Sequence, residues 1–149
     1  MKSLKELYKI GKGPSSSHTM GPQRAAALFA DKHPDAHRFE VSLYGSLAAT
    51  GKGHMTDVAI LEKLQPVAPV EIAWFPQVFL RYHPNGMTFK SFDKGGRQTD
   101  EWTCYSIGGG ALSEGKVDEG IFASPEIYNL NTLAEIQSWC EKNGICRPL

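Results

Sequence analysis

The sequence predicts an α+β domain: an antiparallel or mixed β-sheet with helices packed on one face. Two observations predict it. Segments with helical spacing of apolar residues stand beside segments that alternate polar and apolar, and the two kinds do not follow one another in a strict β-α order. In addition, Pro84-Asn85-Gly86 sits between two apolar-rich runs, which reads as an antiparallel hairpin because Asn-Gly tolerates positive φ.

Taken in order, "SLKELYKIG" (Ser3 to Gly11) sets Leu4, Leu7 and Tyr8 at helical spacing before a glycine stop. Gly21 and Pro22 then suit a helix start, since proline in a first turn gives up no needed donor. Ala25, Leu28 and Phe29 supply the i, i+3, i+4 face of that helix, and His33-Pro34 ends it. "HRFEVSLYGS" alternates Phe39, Val41 and Leu43 against Arg38, Glu40 and Ser42, a half-buried strand. A polar loop from Thr50 to Thr56 leads into a second helix with the expected face Val58, Ile60, Leu61 and Leu64, halted before Pro66. "QVFLRYHPNGMTFKSFD" reads as the two hairpin strands, and "DEWTCYSIGGG" as a further strand ending in a glycine triplet. A last helix, capped by Asn131 or Thr132, carries Leu133, Ile136 and Cys140 on its apolar face and stops at Gly144.

A length of 149 residues fits one domain, 1–149. The ending "CEKNGICRPL" reads as a cut at a linker. Sixteen basic residues balance sixteen acidic ones, so no basic excess favours nucleic acid or an anionic membrane surface. No apolar run approaches the ~20 residues of a spanning helix, and the first residues lack a signal-peptide core. Three cysteines (Cys104, Cys140, Cys146) match neither a disulfide framework nor a zinc or cluster pattern, and fit a reducing compartment, the cytoplasm.

Two polar loops each feed a helix. In "GPSSSHTMGPQ", Ser15, Ser16, Ser17 and Thr19 can cap the unpaired N–H groups of the helix start or, with them, hold a carboxylate or phosphate. His18 in their midst titrates near neutrality, as a general base must. It could equally be a hydrogen-bonded surface residue. The second loop holds Lys52, His54, Thr56 and Asp57, readable as a solvated lysine and an N-cap, or as an anion-holding lysine with a second imidazole. No G-x-x-x-x-G-K-[ST] motif is present, which argues against a nucleotide triphosphatase.

"GPSSSHTMGPQRAA" (Gly13 to Ala26), "YGSLAATGKGHMTD" (Tyr44 to Asp57) and "YSIGGG" (Tyr105 to Gly110) resemble three signatures of the bacterial iron–sulfur-dependent L-serine dehydratases, in their β domain. The resemblance implies a fold similar to the allosteric substrate-binding domain of D-3-phosphoglycerate dehydrogenase. It implies cytoplasmic deamination of L-serine to pyruvate and ammonia, aided by a [4Fe-4S] cluster. That cluster is held by an α domain or α subunit not contained in this chain, so no metal is expected here and the isolated chain is expected to be inactive. His18 and Ser17 become the catalytic candidates. Ser16, Thr19, Lys52, His54 and Asp57 become candidates for binding the substrate. A homodimer is implied as well. The competing reading is a regulatory serine-binding or dimerisation module without catalytic residues.

Overall fold

The alternation in "RFEVSLY" builds the strand around which the rest is arranged. Strand β1 (Arg38–Tyr44) buries Phe39, Val41 and Leu43 completely while Arg38, Glu40 and Ser42 stay half-buried, as the period of two requires. In the computed structural model, which describes residues 10–115, 129–130 and 132–144, β1 belongs to a five-stranded sheet of order β2-β1-β3-β4-β5. The other strands are β2 (Val70–Phe75), β3 (Gly86–Phe92), β4 (Gln98–Gly108) and β5 (Ala111–Ser113). Strand β2 runs parallel to β1, with Val41 beside Ile72, and every other pairing is antiparallel. The sheet is therefore mixed. The described residues fall in two compact units, one within Ile10–Ala123 that holds the sheet and one within Ser124–Leu149.

Helix α1 (Gly21–Lys32) starts and ends where Pro22 and His33-Pro34 dictate. A single turn of π-helix, Ser16–Met20, runs directly into it. Helices α2 (Gly45–Thr50) and α3 (Thr56–Leu64) fill the crossover from β1 to β2. Phe29 of α1 anchors the core, with its ring centroid 5.9 Å from that of Phe39 and 5.5 Å from that of Phe89. Leu43, Leu47, Ile60, Leu64 and Met87 complete the buried interior.

Two expectations change, and two elements come unannounced. Residues 77–83 form no strand, and Asn85-Gly86 turns no hairpin: Asn85 is buried and Gly86 begins β3. The reason is topological. Strands β2 and β3 lie on opposite sides of β1, so the chain between them must cross the end of β1 instead of doubling back. That crossing is pinned where Gly45 N–H donates to the Val78 carbonyl (2.9 Å) and Ser46 N–H donates to the Pro84 carbonyl (2.9 Å). The hairpin is β3–β4, whose turn is tied by Asp93 Oδ1 accepting from the N–H groups of Gly95 (2.8 Å) and Arg97 (2.9 Å). Next, α3 buries Thr56, Ala59, Ile60 and Leu64, while Val58 is 50% exposed, so its inner face is rotated from the one expected. Finally, the edge strand β2 and the short α2 carry too few periodic residues to announce themselves.

In the second unit, α4 (Leu133–Lys142) begins with a reciprocal cap. Thr132 Oγ1 accepts from Glu135 N–H (3.2 Å), and Glu135 Oε2 accepts from Thr132 N–H (2.9 Å). Gly144 follows at φ +66°, the left-handed conformation of a C′ glycine. Ile136 and Cys140 are half-buried and Leu133 is exposed. The proposed helix before Gly11 and Cys146 lie outside the described residues.

Candidate functional site

The antiparallel and parallel pairings bring the C-terminal ends of β1, β2 and β4 and the start of β3 to one edge of the sheet. The two polar loops meet at this edge. Ser15 caps the π-turn, its Oγ accepting from His18 N–H (3.1 Å), while its carbonyl accepts from the N–H groups of Thr19 (3.0 Å) and Met20 (3.1 Å). Because this turn continues into α1, the helix start carries its partial positive charge at Ser16 and Ser17. Gly21 is required where the turn meets the sheet: a Cβ there would collide with the Oγ of Ser106, a fully buried residue of β4.

His18 is half-buried, with Ser17 Oγ 2.9 Å from Nδ1 and Ser46 Oγ 3.1 Å from Nε2. A neutral imidazole has one N–H and one lone pair, so one of these hydroxyls accepts from the ring and the other donates to it. Burial holds the His18 pKa below the ordinary histidine value, the nearby His54 lowers it further, and hydrogen bonding at Ser46 opposes both. The two imidazole centroids are 4.9 Å apart, with their planes 41° from parallel. His54 Nδ1 lies 3.0 Å from the Thr50 carbonyl. A carbonyl only accepts, so Nδ1 carries the hydrogen and Nε2 is the lone-pair nitrogen of the neutral ring.

The structure thus brings His18, Ser17, Thr19 and His54 together. Thr19 is buried, and its hydroxyl donates to the His54 carbonyl (2.7 Å). Ser16 is exposed. Lys52 and Asp57 engage other groups: Lys52 Nζ stands 5.8 Å from the Trp74 ring centroid, and Asp57 Oδ1 accepts from Val58 N–H (2.9 Å). Thr56 is the first residue of α3 rather than its cap, and its hydroxyl donates to the His18 carbonyl (2.5 Å). Sequence reasoning missed Ser46. The signal available was its place in "YGSLAAT", directly after a glycine that must adopt φ +50° and whose Cβ would lie 2.6 Å from the Pro84 carbonyl.

The ends of β2 and β4 and the loops at the same edge carry exposed apolar side chains. Phe79 is 66% exposed, and Met55, Phe75, Val78 and Ile107 are exposed too. Among the described residues no three His, Cys, Asp or Glu side chains gather to hold a metal ion. Cys104 is sealed in the core, where burial pushes its thiol far above the usual range. The described residues do not fit an iron–sulfur cluster.

A family model described as serine dehydratase beta chain matches residues 3–75 and 68–116. The L-serine dehydratase of Haemophilus influenzae is 32% identical over 97% of this chain and 41% of its own length. The L-serine dehydratase TdcG of Escherichia coli is also 32% identical, with the same coverage. The L-serine dehydratase of Mycobacterium tuberculosis is 40% identical over 74% of this chain and 32% of its own length. The chain therefore spans about two fifths or less of these curated relatives.

Proposed function

The chain belongs to the serine dehydratase beta-chain family, and on that premise we propose that it supplies the proton-accepting imidazole and the carboxylate-holding hydroxyls for converting L-serine to pyruvate and ammonia. The single observation that carries the reading is the convergence of His18 and His54, from loops 36 positions apart in sequence, amid serine hydroxyls at a helix start. A substrate carboxylate suits the backbone N–H groups and hydroxyls at Ser16 and Ser17. An α-proton needs a neutral base beside it, and burial together with a second imidazole favours the neutral form of His18. Lys52, two residues before His54, and Asp57, in the first turn of α3, stay candidates for binding the substrate through their place beside that histidine in the chain. The remaining group that departs, the hydroxyl, must be taken by chemistry outside the described residues.

The apolar rim at Met55, Phe75, Val78 and Phe79 supports a partner for this edge, the α domain that the longer relatives would contain. A second reading rests on a specific observation: the fixed Nδ1–H of His54 makes its Nε2 the better-defined lone pair, and His18 would then orient the carboxylate. The test is pyruvate formation by the complete enzyme carrying His18→Ala or His54→Ala. Loss of the base is expected to cost ~10²–10⁴ in kcat, while loss of a carboxylate ligand raises KM first. If both variants turn over serine within a few-fold of the parent, the imidazole pair has no part in the chemistry.

A further inference from the structure

We propose that Thr19 and Thr56 form a reciprocal clasp that holds the two imidazoles at their separation, which makes both threonines positioning residues. The inference rests on the function proposed above. Each loop offers one histidine and, one or two residues after it, a threonine that grips the other loop's histidine by its peptide carbonyl. Thr19 Oγ1 donates to the His54 carbonyl at 2.7 Å across 35 residues. Thr56 Oγ1 donates to the His18 carbonyl at 2.5 Å across 38 residues.

A hydroxyl has one hydrogen, so each donation commits the side chain. Both threonines are closed to solvent, at 2% and 0% exposure, and neither can reach a ligand in the open part of the site. Thr19 Oγ1 in addition accepts from Ser15 N–H (3.3 Å), which ties the clasp to the cap of the π-turn. Threonine suits the task better than serine because branching at Cβ limits χ1 and aims the hydroxyl. The histidine side chains themselves remain unburdened by the clasp, which acts on their backbones. Ring separation is therefore set independently of the ring nitrogens that chemistry needs.

The plain alternative is that two buried hydroxyls merely satisfy their hydrogen bonds and contribute stability. Two measurements on the complete enzyme separate the cases, using Thr19→Val, Thr56→Val and the matching serine variants. In the first, proton NMR follows the titration of the His18 ring. Burial first, and then the His54 ring 4.9 Å away, depress it, so loosening the clasp, which opens the turn and separates the rings, is expected to move the His18 midpoint up toward the ordinary histidine value in the valine variants and leave it in the serine variants. In the second, kcat at equal folded fraction is expected to fall about tenfold or more in the valine variants with KM little changed, since small misplacements at a reacting centre are costly. Adding Thr19→Val to His54→Ala should then cost almost nothing further. Valine variants with lowered stability but an unmoved His18 midpoint and unmoved kcat would leave the clasp a structural contact only. Were His18→Ala and His54→Ala harmless, the functional premise would fall, and the titration would still report on the clasp.

Discussion

A histidine flanks helix α1 on each side, His18 in the π-turn that leads into it and His33 at its C-cap, and the two flanks are built for opposite purposes. At its start, His18 faces hydroxyls and a second imidazole, with no carboxylate among the described residues in contact. At its end, His33 Nε2 lies 2.9 Å from Asp100 Oδ2, which also accepts from Lys32 Nζ at 2.7 Å, and the His33 ring packs 4.6 Å from that of Phe29. A carboxylate and an ammonium close the far cluster electrostatically, and the Lys32 hydrogen bond holds the Asp100 carboxyl below its usual range. Among the described residues the near cluster has no such counter-charge, so its imidazoles keep lone pairs for exchange. The same residue type, flanking the same helix, becomes a fastening or a reagent according to its partners.

The contrast should be widest in mutants. His33→Ala is expected to leave kcat of the complete enzyme within a few-fold while lowering stability by about 1–2 kcal/mol, from lost packing on Phe29 and one lost hydrogen bond to Asp100. His18→Ala should do the reverse, removing ~10²-fold or more of activity at nearly unchanged stability. Parallel kinetics and urea melts on the two variants would break the comparison if both moved the same quantity.

Gly45 sharpens the comparison at the near end alone. Its φ of +50°, and a Pro84 carbonyl 2.6 Å from where a Cβ would stand, leave no room for a side chain. Gly45→Ala is expected to cost about 1–3 kcal/mol in urea unfolding and to disturb Ser46 and hence His18. An unaffected melt would mean that the crossing chain yields freely.

The two ends should also titrate in different windows. His18 has its folded pKa below the unfolded value, so its folded form binds protons less readily than the unfolded chain. Its effect on stability is nil above the ordinary histidine range near 6.5 and becomes a penalty as pH falls below it, and the acid limb of kcat/KM should lie below that value. Asp100, with a depressed folded pKa, stabilises above the ordinary carboxylate range near 3.8 and loses this as pH falls through its lowered value. The Asp100 side chain is half-buried at the rim of the sheet, where solvent still screens its ion pair, so Asp100→Asn should cost only about 0.2–1 kcal/mol at neutral pH, the smallest effect here. A pH series of melts on both variants would show one window or two.

Much of the near end is legible in sequence because it depends on near neighbours. The start of α1 follows from Gly21-Pro22, the serine cap from Ser15, and the inner face of β1 from strict alternation, and each of these involves residues within a few positions. The three motif stretches likewise point to the family through contiguous residues. The mixed sheet is expected too, although for a partly mistaken reason, since the hairpin signal at Asn85-Gly86 is overridden by the need to cross β1. Other features have no local signature: the parallel edge strand β2, the rotated face of α3, the hydroxyl of Ser46 on His18, and the paired threonine grips on the two histidine carbonyls. The chain itself determined which chemical groups stand at each loop and helix start, because caps, turns and periodicity act over one or two turns of backbone. Only the tertiary structure decided which of those groups face one another, because contacts between residues 28 to 38 positions apart are chosen by the packing of the whole sheet and its helices.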